Sequence, residues 1–230
     1  VLSLLRDMAS GHGAGQELAQ GATEYARSQG RPQAAMAVKG LDLPAYDPRG
    51  AYGMALAYSV ATRGGCHLRA YPVSHEILRK PVATDRFSFS GKARIIKIAE
   101  DVNAVIDSLI ACKFVFFAAS LEEYARALTG ATGMETTAHD LLRAGERIVL
   151  NERAINTENG FSAEHDDLPP RFFQESGSGD ATLHIPPLDR SAFLSARDNY
   201  YQVRGCDSHG IPTVEACTDL GIEPPYPDSS

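Results

Sequence analysis

"KARIIKIAEDVNAVIDSLIACKFVFF", residues 92–117, is the longest periodic segment of the chain. Ile95, Ile98, Val102, Val105, Leu109 and Cys112 recur at three- and four-residue intervals, with Lys97, Glu100 and Asp101 largely off that stripe. Side chains three and four apart share one face of a helix, so the pattern predicts a long amphipathic helix laid against a core. The segments downstream read the same way. "SLEEYARALTGATG" (120–133) opens with a capping box, Ser120 with Glu123 three residues on. "TTAHDLLRAGERIVLNERAIN" (136–156) sets Leu141, Leu142, Gly145, Ile148, Val149, Glu152 and Ile155 at helical spacing. "SAFLSARDNYYQVRG" (191–205) is a further helix, and "IPTVEACTDLG" (211–221) a short last one with Thr213 as its cap.

Toward the N-terminus, residues 1–9 read as the end of a helix and "GHGAG" (11–15) as punctuation. Residues 15–30 form a second predicted helix, with Leu18, Ala22, Tyr25 and Ala26 on one face and Gly30 at its end. Residues 33–50 are extended and then turn at Pro44 and Pro48. The alanine-rich run 49–65 reads as a buried helix closed by Gly64 and Gly65, and 81–91 as loop. From about residue 157 glycine, proline, serine and acids accumulate. This predicts a long surface excursion with a short strand, and later a polar tail. No strand–helix alternation, internal repeat or glycine-rich phosphate loop occurs. The fold class is therefore all-α and multihelical.

The 230 residues are 43% hydrophobic and 22% charged, ordinary for a globular protein. A net charge of −7 offers no global positive field, which argues against nucleic acid or an anionic membrane as partner. No apolar run approaches the roughly 20 residues of a membrane span. The first residues make a poor signal peptide, so the expected location is cytoplasmic. Cys66, Cys112, Cys206 and Cys217 include no C-x-x-C pair. The expectation is reduced thiols and no complete metal site within this chain alone.

"RGGCHLRAYPVSHE" (63–76) concentrates a cysteine, two histidines, two arginines and a carboxylate just after the buried helix. His67 could pass protons or ligate a metal, or simply bond backbone. Arg63 and Arg69 could clamp an anion or cap helix carbonyls. In "DSLIACKF" (107–114) an acid precedes a cysteine by five residues. His75 beside Glu76, and His165 beside Asp166 and Asp167, read as surface polar groups. Cys66, Cys206 and Cys217 read as structural thiols.

"KGLDLPAYDPRGAYGMALAYSVATRGGCHLRAY" (39–71) resembles the late region of the aldehyde ferredoxin oxidoreductases, the tungsten-pterin enzymes. "DSLIACKF" is similar to that family's D-x-x-G-L-C motif, with Ile110 and Ala111 standing where the motif has Gly and Leu. Residues 141–173 and 200–213 resemble its C-terminal segments, in the expected order. The resemblance implies oxidation of a small aldehyde with water to a carboxylic acid. Electrons would pass from tungsten (or molybdenum) in a bis-pterin cofactor, through a 4Fe-4S cluster, to ferredoxin. It implies that Asp107 hydrogen-bonds a pterin, that backbone at Leu109, Ile110, Ala111 and Lys113 lies against it, that Cys112 is the fourth cluster thiolate, and that His67 relays protons. Residues 1–35 would end a middle helical domain and 36–230 form the C-terminal helical domain. The other three cluster cysteines would lie in an N-terminal cofactor-binding domain outside these 230 residues. The chain alone is thus expected to be apo and inactive. The alternatives are a related tungsten enzyme with another reaction, such as aromatic-ring reduction, and a non-catalytic helical scaffold that binds a partner.

Overall fold

Helix α4 (Tyr52–Val60) is buried from Gly53 to Val60. An alanine-rich helix apolar on all sides must lie inside a protein, and the rest of the fold is built round this one. The computed structural model describes residues 1–179 and 182–225. Before α4 come α1 (Leu2–Ser10), α2 (Gly13–Leu18), α3 (Ala22–Ser28) and an antiparallel hairpin, β1 (Ala37–Val38) with β2 (Leu41–Asp42), in the register Val38↔Leu41. After it come α5 (Val73–Glu76), α6 (Lys92–Ser108), α7 (Leu121–Thr132), α8 (Ala138–Glu158), α9 (Arg171–Gln174), α10 (Arg190–Arg204) and α11 (Val214–Leu220). The architecture is all-α, as expected.

The two longest helices, α6 and α8, pack closely, and Gly145 makes the contact possible. A Cβ there would meet the Asp101 carbonyl oxygen at 2.1 Å. Helix α10 closes the other side with Phe193, Ala196, Tyr200 and Tyr201, all buried. Local signals hold at several ends. The Ser120–Glu123 capping box forms at α7, and the Thr213 hydroxyl accepts from the Ala216 N–H at α11.

Several expectations are corrected. The helix expected over 15–30 is two helices, broken at Gly21, where φ is +92°. Of its expected apolar face only Ala26 is buried. Helix α6 stops at Ser108 rather than running to 117. Leu109–Cys112 form a turn, and a 3-10 turn follows over Lys113–Phe117. Its buried face is Ala93, Ile96, Glu100, Asp101, Asn103, Ala104, Val105 and Ile106. Ile95, Ile98 and Val102 instead line a cavity of about 770 Å³ with Pro81, Val82 and Phe117. Residues 157–190 are not a surface excursion. Asp166, Leu168, Phe172 and Leu188 are buried, and no strand forms there among the described residues. The polar tail from residue 226 lies outside the described residues.

Charge in the α6 sequence does not mark its exposed side. Glu100 and Asp101 are buried because Arg204 of α10 reaches them. It lies 2.7 Å from Glu100 and makes a short ion pair with Asp101. The Tyr200 hydroxyl donates to Glu100 at 2.6 Å. Glu76, read as a surface acid, is also buried. It accepts the Gly53 N–H at 2.7 Å at the N-terminus of α4 and pairs with Lys92 at 2.7 Å. A carboxylate suits a helix N-terminus, where the unsatisfied N–H groups point. Asp166 is 1% exposed. It takes Lys39 of the hairpin turn at 2.6 Å, Arg153 of α8 at 2.5 Å and the Tyr201 hydroxyl at 2.8 Å. A charge can be buried only with such partners, and they come from segments far apart in sequence.

Candidate functional site

Two loops supply the site. One follows α4 and carries Arg63, Cys66, His67, Arg69 and Tyr71. The other follows α6 and carries Asp107 to Lys113. Lys113 ties them together. Its ammonium donates to the Leu68 carbonyl at 3.0 Å and to Asp107 Oδ2 at 2.9 Å. Arg69 approaches the same Asp107 oxygen at 3.7 Å and makes a short ion pair with Glu152 of α8. Glu152 in turn accepts the Thr62 hydroxyl at 2.6 Å. Residues 40 apart in sequence are thus held on one face of the molecule.

His67 sits among aromatic rings. Tyr46 is 5.5 Å away and Tyr71 6.2 Å, centroid to centroid. Tyr46 and Tyr71 share a hydroxyl–hydroxyl hydrogen bond of 3.3 Å. That bond, with burial, pushes Tyr71 up to about 12. Burial, then the positive charges of Arg63 and Lys113, hold His67 below its ordinary value. The ring is therefore neutral near pH 7, with one nitrogen lone pair able to take a proton. Cys66 is buried, and its sulfur accepts from Arg63 Nε at 3.1 Å and the Leu68 N–H at 3.3 Å. That is a loop-shaping role. Neither Arg63 nor Arg69 hydrogen-bonds a helix carbonyl, one of the two uses expected of them.

The second loop is built to offer acceptors. The N–H groups of Leu109, Ile110 and Ala111 are spent closing α6, on Val105, Asp107 and Ile106. The backbone carbonyls of that turn and the partly exposed Asp107 carboxylate remain as acceptors for a ligand. Cys112 is an exposed free thiol at the head of the 3-10 turn. Ile110 has φ +55° and is 94% exposed. A β-branched residue in the left-handed region is strained, and here no burial compensates it. Tyr71, at φ +49°, is a second non-glycine residue in the left-handed region, buried on the other loop.

The fit to the expected groups can be judged from these donor sets. An acceptor-only carboxylate beside free carbonyls suits the N–H-rich edge of an aminopyrimidine ring. One exposed thiol suits a single cluster ligand. Among the described residues no three His, Cys, Asp or Glu side chains converge, so the remaining cluster ligands would have to come from elsewhere. Of the residues singled out in the sequence, Asp107 and Lys113 are brought into contact with each other and with the loop that carries His67, and Cys112 is exposed next to Lys113 in the chain. Tyr46, Tyr71 and Glu152 were not foreseen in the site. Glu152 had a signal: it is an acid within the apolar register of its helix.

These features define a class: an all-helical domain whose two joined loops carry an imidazole, a carboxylate and a thiol. The family follows from comparison. Residues 1–222 match the family described as aldehyde ferredoxin oxidoreductase, domains 2 and 3, and the chain belongs to it. The tungsten-containing aldehyde ferredoxin oxidoreductase of Pyrococcus furiosus is 37% identical over 221 residues, covering 95% of this chain and 36% of the relative. That of Thermococcus kodakarensis is 36% identical over 90% of this chain and 34% of its own length. The WOR-like subunit of an aliphatic sulfonate oxidoreductase from Pyrococcus furiosus is 28% identical over 82% of this chain. Among solved structures, the BamBC active-site complex of benzoyl coenzyme A reductase has the same fold, with a TM-score of 0.74 at 17% identity over 96% of this chain and 38% of that one. The chain spans about a third of the length of the aldehyde ferredoxin oxidoreductases it matches. No helix among the described residues is long and apolar enough to cross a membrane.

Proposed function

We propose that this chain is the C-terminal helical part of a tungsten-pterin oxidoreductase that converts an aldehyde and water to a carboxylic acid. The observation that carries the reading is the Lys113 bridge. It ties the loop of His67 to the loop of Asp107 and Cys112, which supports reading the two loops as one site. Membership of the family supports it.

In the assembled enzyme Asp107 and the carbonyls of Leu109–Ala111 would accept hydrogen bonds from a pterin ring, and the Cys112 thiolate would ligate one iron of a 4Fe-4S cluster. The metal–pterin cofactor, when bound, would supply the two-electron acceptor for the reaction, with the cluster and a ferredoxin as the electron outlet. Oxidation of an aldehyde by water releases two protons with the two electrons. His67, neutral near pH 7, takes one of those protons. Tyr46 and Tyr71 pack beside the imidazole and partly desolvate it. The N-terminal cofactor-binding domain, with the other three cluster ligands, is the first partner of this chain, which alone is apo and inactive.

The test is anaerobic expression of the full-length protein with tungstate, followed by tungsten and iron analysis. The expected content is about one tungsten and about four irons per polypeptide, with both retained in His67→Asn and iron lost in Cys112→Ala. Viologen reduction is then measured with a panel of aldehydes. A well-folded assembly with neither metal refutes the reading. A second reading, a helical scaffold that has lost its cofactor, is favoured by one feature. Ile110 places a large exposed side chain in the turn where a ring would approach. Metal content separates the two.

A further inference from the structure

The cavity beside α6 has a volume of about 770 Å³, within the about 300–1,000 Å³ of small-molecule pockets. Its walls are mainly apolar, with Val82, Ile95, Ile98, Val102, Phe117 and Leu121. Most of its polar side chains are engaged or in solvent. The Ser74 hydroxyl donates to the Tyr71 carbonyl at 3.2 Å, His75 Nδ1 meets the Val82 carbonyl at 3.1 Å, Ser120 serves the capping box of α7 and Lys80 is exposed. Asn103 is different. It is 2% exposed, its Nδ2 donates to the Ala70 carbonyl at 3.5 Å, and its Oδ1 is buried with no donor among the described residues. Turning the amide over would set its oxygen against the Ala70 carbonyl, which only accepts, so the acceptor is the atom left open. A buried acceptor without a donor is costly. A trapped water is a poor answer, since it needs about two to four polar partners, and Ala99 and Val102 beside Asn103 on this wall offer none.

The cavity adjoins the candidate site. Asn103 lies one turn before Asp107 on α6, and so on the same side of the helix. Ala70, which also lines the cavity, belongs to the loop that carries His67, and Phe117 meets the Tyr71 ring edge-on at 5.9 Å. We infer that this cavity holds the tail of the substrate and that Asn103 selects it, the preferred aldehydes being aromatic ones with a neutral hydroxyl or N–H on the ring, away from the carbonyl. The inference rests on the proposed aldehyde oxidation. The ring fills apolar volume, and the remote donor completes the open Oδ1. A rigid ring suits this better than a flexible chain of the same bulk, because it loses less freedom when the donor is fixed.

The experiment uses the full-length enzyme, purified anaerobically with tungstate, as wild type, Asn103→Leu and Asn103→Ala. Leucine keeps the branched outline and removes an unpaired acceptor, so the variant should fold. Alanine adds no bulk and makes the same comparison if leucine crowds the helix. Circular dichroism records folding. The specificity constant kcat/KM is measured for meta- and para-(hydroxymethyl)benzaldehyde and for the matching ethylbenzaldehydes, which share their shape and lack the donor. The ratio of hydroxymethyl to ethyl should fall at least about tenfold in both variants at one ring position or both, because the hydroxyl then enters the cavity without an acceptor. The ratio is insensitive to cofactor content, which acts on both substrates alike. A ratio unchanged at both positions overturns the role of Asn103. If the wild type holds tungsten and oxidises no aldehyde, the proposed function fails by itself, and the cavity is judged by binding of benzyl alcohol and ethylbenzene in equilibrium dialysis. A preference for the alcohol that both variants lose keeps Asn103 as the selecting group, and an equal preference in all three proteins overturns it.

Discussion

Replacing Asp166 by Asn should cost the 230-residue chain about 3 kcal/mol at pH 7. Asp166 is the one anion among Lys39, Arg153 and the Tyr201 hydroxyl, with contacts of 2.6, 2.5 and 2.8 Å. Burial alone would raise its carboxyl. The charges of Arg153 and Lys39 outweigh that and hold it at about 2 rather than its ordinary 3.8. Such a depression contributes about 2 kcal/mol at neutral pH. Removing the charge also leaves two buried cations without an anion, and losses of that kind reach about 3–5 kcal/mol. The sign follows from the depressed value. The contribution is complete above pH 4 and is lost as the pH falls from 4 to 2. Glu76 and Glu100 run the other way, because burial raises both, so their protonation favours the folded chain. The absolute acid stability is therefore mixed, and the difference between wild type and Asp166→Asn isolates the residue. Urea unfolding followed by circular dichroism at pH 7, 5, 3 and 2.5 measures it. The gap should stay constant from pH 7 to 5 and narrow by about 2 kcal/mol toward pH 2. A gap below about 1 kcal/mol at pH 7, or one that does not change with acid, refutes the reasoning.

Three further outcomes are expected. Ile110→Gly should stabilise the chain by about 1 kcal/mol, since it relieves a left-handed β-branched residue and removes no buried contact; unchanged or lower stability in urea would contradict the strain. Gly145→Ala should cost at least about 2 kcal/mol by forcing α6 and α8 apart at Asp101, and a loss within 0.5 kcal/mol would mean that the helices slide freely. In the assembled enzyme, the acid limb of the activity profile should lie at lower pH than an ordinary histidine would give, because burial and the charges of Arg63 and Lys113 keep His67 neutral. His67→Gln should remove that acid limb and lower turnover by about a hundredfold, and a limb that survives the substitution assigns the proton to another group.

The sequence by itself determined the helices and their class. Three-residue and four-residue spacing, capping boxes and glycine stops act over a single turn, and local chemistry is enough to read them at α7, α8, α10 and α11. It also named His67, Asp107 and Cys112, by resemblance rather than by spacing. Only the tertiary structure decided which charges are inside. Glu76, Glu100, Asp101 and Asp166 look like solvated acids in the chain. Each is buried because a cation arrives from a distant segment: Lys92 for Glu76, Arg204 for Glu100 and Asp101, and Arg153 with Lys39 for Asp166. The same holds for the site. That Lys113 would join Leu68 to Asp107, and that Glu152 would pair with Arg69, depends on how α4, α6 and α8 pack. Helical periodicity records which side of a helix is apolar, but a salt bridge across 80 residues leaves no period to read.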